Sequence, residues 1–150
     1  KHTISEFFYR TQHIQQLGGY QIYPAGYYAD DASILLFCNN NGIASTEESL
    51  IVYRKSENNI SSSSCWNVEK SKAALKYYQW IIDEFPMKQQ DEQIIQQRLD
   101  FDLYTYFSAA LNIHQSIQIL NCIPVNIWNW KKKLLCLYKF ILNSYAKQIK

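Results

Sequence analysis

The sequence predicts an all-α or strongly α-dominated single domain over residues 1–150, with one small β-hairpin near residues 33–54 as the competing element. Three observations point that way. Only 4 glycines and 3 prolines punctuate the 150 residues, too few for an all-β chain that must turn about every 8–12 residues. Apolar side chains recur at helical spacing through the second half of the chain. Helix-start and helix-stop residues flank those runs. The hydrophobic fraction of 47% and charged fraction of 19% are those of a globular chain rather than a disordered one. A chain of this length buries roughly 68–70% of the surface its unfolded form exposes, enough for a core without staples.

Taken in order, "TISE" has the form of a capping box, with Thr3 and Glu6 as its partners. Ile4, Phe7, Phe8, Ile14 and Leu17 then follow at helical spacing until Gly18–Gly19 ends the run. "YQIYPAGYYADD" reads as an irregular, aromatic-rich connector, and Asp30–Asp31 can cap a short helix over "ASILLFC". Ser45 and Glu48 offer a second capping pattern before "LIVYR". "SILLF" and "LIVYR" are rich in β-formers with Asn-Gly between them, which is why a hairpin competes here. "KSENNISSSSCWN" is a polar loop.

Beyond it Asn67 is positioned to cap a helix whose stripe is Ala74, Leu75, Tyr78, Ile81, Ile82 and Phe85, and Pro86 stops it. A further stripe runs through Ile95, Leu99, Leu103, Tyr106, Phe107, Ala110 and Leu111, breaks near Asn112, and resumes through Ile117 and Leu120. After Pro124, Asn126 is the expected cap of the terminal helix. There Trp130, Leu134, Tyr138, Ile141 and Tyr145, widened by Leu135, Leu142 and Ile149, make the face expected to lie on the core. Lys132, Lys139, Asn143, Lys147 and Lys150 line the other. Interrupting lysines exclude a membrane span. A membrane-surface helix and a nucleic-acid grip are the alternatives to the core reading of this segment.

The net charge of +2 is small, but it is unevenly placed. Asp83, Glu84, Asp91, Glu92, Asp100 and Asp102 face only Lys88 and Arg98 in their stretch, whereas from Ile127 to Lys150 there are lysines and no acid. The cysteines, Cys38, Cys65, Cys122 and Cys136, have no metal-ligand spacing. They read as reduced thiols in a reducing compartment, with Cys38, Cys122 and Cys136 as small core hydrophobes; two disulfides are the alternative. "KHTISEFF" lacks the apolar region of a secretion signal, so a cytoplasmic location is expected.

No nucleotide-loop or zinc-protease motif is present, and no metal or organic cofactor is expected. His2, His13 and His114 carry no local catalytic signature, and His114 reads as a core or boundary histidine. Asp102 falls at the edge of an apolar stripe, between Leu99, Leu103 and Tyr106. It reads as an (i, i+4) partner of Arg98, as a boundary acid on a tyrosine hydroxyl, or as an acid exposed to a partner.

In its Asn-, Ile-, Lys- and Tyr-rich stretches "CNNNGIAS", "SENNISSSS" and "NVEKSKAALKYYQWII", the chain resembles the immunity proteins of bacterial contact-dependent inhibition and related polymorphic toxin systems. No diagnostic motif matches and such families share no fold, so no family residue carries over. The resemblance implies a cognate toxin, of basic nuclease type, as partner and no catalysis. Together with the acidic stretch it makes Asp83, Glu84, Asp91, Glu92, Asp100, Asp102 and Tyr104 the expected partner-binding residues, since acids speed encounter and tyrosines anchor. The alternatives are a nucleic-acid-binding module built on Lys131–Lys133, Lys139 and Lys147, and an enzyme whose site assembles from distant His and carboxylate residues.

Overall fold

The computed structural model describes residues 7–38, 42, 44 and 63–148. Among them the chain forms α1 (Thr11–Gln16), α2 (Ala29–Cys38), α3 (Asn67–Glu84), α4 (Gln89–Ser108), α5 (Ile113–Cys122) and α6 (Trp130–Gln148), and no strand. The all-α architecture predicted from helical spacing is what forms. The alternative hairpin is not: Ser33–Phe37 lie inside α2, while Leu50–Arg54 fall outside the described residues, as does the Ser45–Glu48 capping pattern.

The antiparallel pair α3–α4 is the centre of the fold. Pro86 cannot continue a helix, and Phe85 is already extended (φ −113°, ψ 123°). Three residues after Phe85 the Lys88 N–H donates to the Asp91 carboxylate at 3.3 Å, and α4 begins at the next residue. Ala73, Ala74, Tyr77, Tyr78 and Ile81 of α3 meet Leu99, Leu103, Tyr106 and Phe107 of α4 in one buried cluster, which Ile119, Leu120 and Ile123 extend. Leu75, Ile82 and Phe85, expected in the stripe, are half-buried or at its edge, because the stripe is centred on the two alanines and two tyrosines instead. Ser71 and Ser116 are fully buried, and each hydroxyl donates to the carbonyl one turn back (Asn67 O, 2.8 Å; Asn112 O, 3.1 Å).

Asn67 does not cap α3. Its side chain is buried, and its amide donates to Tyr106 O (3.0 Å) and Ala109 O (3.1 Å), carbonyls that the end of α4 leaves without helical partners. Asn112 does cap: its side-chain oxygen accepts the Gln115 N–H at 2.9 Å and starts α5. The break was expected there, but Leu111 and Ile117 are exposed, because the turn after Ser108 rotates α5 so that Ile119 and Leu120 face the core.

The N-terminal helix is shorter than its spacing implied. Residues 7–10 are not helical, Phe8 is exposed, and Thr3 and Glu6 lie outside the described residues. Its stop is as expected: Gly18 (φ 82°) and Gly19 (φ 87°) turn left-handed, and the Gly19 N–H reaches back to Ile14 O at 2.9 Å. Asp30 and Asp31 sit in the first turn of α2, where they oppose the helix dipole's positive end, rather than ahead of it as caps. The connector between α1 and α2 is not a surface loop. Tyr23 is buried, and Tyr27 and Tyr28 pack on the core.

α6 is rotated relative to expectation. Cys136 is buried and Leu137 and Phe140 pack inward, whereas Trp130 is 62% exposed and Leu134, Leu135, Tyr138, Ile141 and Leu142 also face outward. Polar ties set this phase. Trp128, 0% exposed, donates its indole N–H to Asp100, and the Lys132 ammonium pairs with the same carboxylate. Lys133 donates to Leu120 O (2.7 Å) and Ile123 O at the end of α5. Lys132, expected in solvent, thus faces the domain, as Lys133 does, and the expected apolar stripe from Trp130 to Leu142 faces out; the side chains of Asn143, Tyr145, Lys147, Ile149 and Lys150 lie outside the described residues.

The cap of α6 is Asn129, whose side-chain oxygen accepts the Lys132 N–H at 2.9 Å, and not Asn126. Asn129→Ala is expected to lower stability by about 1 kcal/mol, and Asn126→Ala to leave it unchanged, as read by urea denaturation.

Candidate functional site

Short connection and helix ends place the acidic residues. Asp83 and Glu84 close α3, Asp91 and Glu92 open α4, and all four side chains are exposed around one turn that carries Lys88 as its basic residue. Asp91 and Glu92 are favoured by the amino end of α4; Asp83 and Glu84 stand at the carboxyl end of α3, where the helix dipole opposes them. Asp83 accepts from the Gln79 amide at 2.9 Å. Along the outer side of α4 stand Ile94 (62% exposed), Phe101 (60%) and Tyr104 (47%). The Arg98 guanidinium lies 5.3 Å from the centre of the Phe101 ring. Ile94 and Phe101 are seven residues apart, two turns, so they share one face opposite the core.

Asp102 is not part of this surface. It is 7% exposed. Its Oδ2 accepts from the Tyr28 hydroxyl (2.7 Å) and the Tyr78 hydroxyl (2.6 Å), and its Oδ1 lies 3.4 Å from Arg98 Nε. The Tyr28 proton is committed to Asp102, so the Tyr106 hydroxyl donates to the Tyr28 oxygen at 2.9 Å. Tyr28 is held here at φ 67°, a left-handed conformation that costs an ordinary side chain about 1–2 kcal/mol. Stacking on Tyr77 (4.8 Å between ring centres) and the hydroxyl bonds hold it there. Asp100 is likewise taken, by Trp128 and Lys132. Of the residues expected to bind a partner, the structure brings Asp83, Glu84, Asp91 and Glu92 together, presents Tyr104 further along α4, and withdraws Asp102 into the core and Asp100 into an interhelical tie. Ile94 and Phe101 were missed; their signal was an apolar pair lying off the core stripe.

The histidines do not assemble a reaction centre among the described residues. His13 Nε2 lies 2.9 Å from Phe37 O and ties α1 to the end of α2. His114 is exposed rather than buried, on an open groove of about 400 Å³ that Cys65, Glu69 and Lys72 also line, and no hydrogen bond among the described residues joins it to either the thiol or the carboxylate. His2 lies outside the described residues. No group of three or more metal-ligating side chains occurs among the described residues. The thiols of Cys38, Cys65, Cys122 and Cys136 are free; Cys136 is buried, Cys38 and Cys122 are half-buried, and burial pushes the pKa of each of these three up. None of the described helices is long and apolar enough to cross a membrane. With Lys132 and Lys133 engaged internally, Lys131 and Lys139 are the exposed cations in the described part of the basic segment.

The tyrosine network has a pH signature. Burial first, and the Asp102 charge with it, hold the phenols of Tyr28, Tyr77, Tyr78 and Tyr106 well above their ordinary value. Above about pH 10 the unfolded chain loses these protons while the folded one keeps them. The stabilisation is therefore complete below pH 10 and declines as pH rises beyond it, by about 1.4 kcal/mol per pH unit for each such phenol. Thermal denaturation between neutral pH and pH 11 should show this fall, and Tyr28→Phe should make it shallower.

Asp102→Ala, which leaves the Tyr28 and Tyr78 hydroxyls buried without their acceptor, is expected to cost about 3–5 kcal/mol. Asp102→Asn keeps an acceptor oxygen and should cost less. Urea midpoints of the two variants check the order.

A scan of protein-family models and searches of curated proteins and of solved structures return no match to this chain.

Proposed function

We propose that this chain is a small binding protein that neutralises a basic protein partner by covering its active site or its substrate-binding surface. In its finer form the partner is a cognate toxin of nuclease type, and the chain performs no catalysis. The observation that carries the reading is the outer face of α4: three exposed apolar side chains, Ile94, Phe101 and Tyr104, on a helix whose amino end joins a turn bearing Asp83, Glu84, Asp91 and Glu92. A rigid helix that presents aromatic anchors beside carboxylates matches what tight interfaces use: anchors for affinity, charge for rapid encounter. A nuclease must be basic to hold nucleic acid, so an acidic rim on its inhibitor is complementary. The compositional resemblance to immunity proteins of contact-dependent inhibition supports the choice of a toxin over other basic partners.

The direct test is co-expression. The C-terminal domain of the reading frame immediately upstream is produced with and without this chain, and host viability is scored. Toxicity relieved by this chain alone is the expected result; absence of toxicity, or toxicity unrelieved, overturns the toxin reading. With a partner in hand, Glu84→Lys/Glu92→Lys should slow association about tenfold at low salt. Phe101→Ala should speed dissociation at least tenfold. Circular dichroism should be unchanged in both, because these side chains lie outside the core. Unaltered binding by the folded variants would remove the outer face of α4 from the interface.

A further inference from the structure

α6 is apolar on two faces, and the domain covers one of them. Trp130, Leu134, Tyr138 and Ile141, with Leu135 and Leu142 beside them, are between 38% and 62% exposed. At 100° per residue these positions fall within an arc of about 140°, and at 1.5 Å per residue they run for about 18 Å. A contiguous apolar surface of this kind on a soluble-type helix marks a place where something else docks.

Charge and shape indicate what docks. Lys131 and Lys139 are exposed within and beside this face, and Lys131 Nζ lies 5.7 Å from the Trp130 ring. From Ile127 to Lys150 the sequence contains no acid to offset them. Among the described residues the exposed acids, Asp83, Glu84, Asp91 and Glu92, flank the α3–α4 turn, and the part-exposed Asp100 carboxylate beside α6 is already paired with Lys132. The occupant is therefore negatively charged. Among the described residues no helix covers this face, whose side chains remain exposed. Tryptophan and tyrosine combine an apolar body with a polar tip and suit the boundary between lipid headgroups and chains.

We propose that the outer face of α6 lies in the plane of an anionic lipid surface. Trp130, Leu134, Tyr138 and Ile141 enter the headgroup–acyl boundary, and Lys131 and Lys139 rest on the lipid phosphates. The helix binds on the surface and does not cross it. This surface lies on a different helix from the outer face of α4.

The test uses the full chain and vesicles of phosphatidylcholine with and without phosphatidylglycerol, read by co-flotation. Wild type should float with the anionic vesicles and not with the neutral ones, less so as salt rises. Leu134→Ser/Tyr138→Ser should lower that binding roughly tenfold or more. Lys131→Glu/Lys139→Glu should abolish the preference for anionic lipid. All four side chains are exposed, and circular dichroism checks that the variants fold. A second measurement needs no variant: brominated chains in the anionic vesicles should quench wild-type tryptophan fluorescence through Trp130. Absence of flotation or of quenching overturns the proposal, as does equal binding by the Leu134→Ser/Tyr138→Ser variant. A dimer of wild type that this variant dissolves, without lipid binding, would overturn it in favour of a second copy on this face. Capture of an acidic protein there, without lipid binding, would overturn it in favour of a protein partner.

Discussion

A single buried carboxylate organises this domain. Asp102 receives hydroxyl bonds from Tyr28 in the connector and Tyr78 in α3 and is flanked by Arg98 on its own helix. An ionised acid in a core is unfavourable unless its lone pairs are met. Here each partner comes from a different part of the chain, so meeting them fixes the position of the connector against the α3–α4 pair. The tyrosine rings then do what aliphatic side chains do in other cores: Tyr28 stacks on Tyr77, and Tyr78 meets both edge to face. A network of this type favours one arrangement over its neighbours, because every alternative strands a buried polar group.

The sequence made the helices legible where two signals agreed. α3 and α4 had long stripes, a proline between them and asparagine after them; α3 formed within a residue of expectation, and α4 ends at Ser108, short of the Leu111 that its stripe implied. It was misleading where one signal stood alone. Asn67 looked like a cap, but its amide is worth more across the fold, on the open carbonyls of α4, than at its own helix end. The face of α6 was read from the widest apolar stripe, yet Lys132 and Lys133 had acceptors waiting on Asp100, Leu120 and Ile123, and those bonds chose the phase. Spacing along one helix cannot reveal acceptors supplied by another.

The residues expected to bind a partner divide along the same line. Asp83, Glu84, Asp91 and Glu92 could be placed because they flank a turn that Pro86 announces, and ends of helices joined by a short turn are necessarily near one another. Asp100 and Asp102 belong to the same acidic run, but only about half a turn of helix separates an exposed position from a buried one. For Asp102 the tyrosine-hydroxyl and Arg98 readings are the ones the fold adopts. The charge run gave sign but not orientation, and orientation decides whether an acid recruits a partner or holds the core. The apolar pair Ile94 and Phe101 shows the converse, side chains whose departure from the stripe was the information.

The Tyr28–Tyr106 contact joins positions 78 residues apart. During synthesis the connector leaves the ribosome long before the helix it inserts into. At about 5–20 residues per second, its tyrosines wait roughly 4–16 s for Tyr106 to be made, and longer for it to clear the exit tunnel. The α3–α4 hairpin, built from neighbouring segments, can close as soon as it emerges. The N-terminal part of the domain is thus the first to be made and the last to be seated. In that interval the nascent chain carries an uncovered aromatic strip, a natural substrate for a holding chaperone.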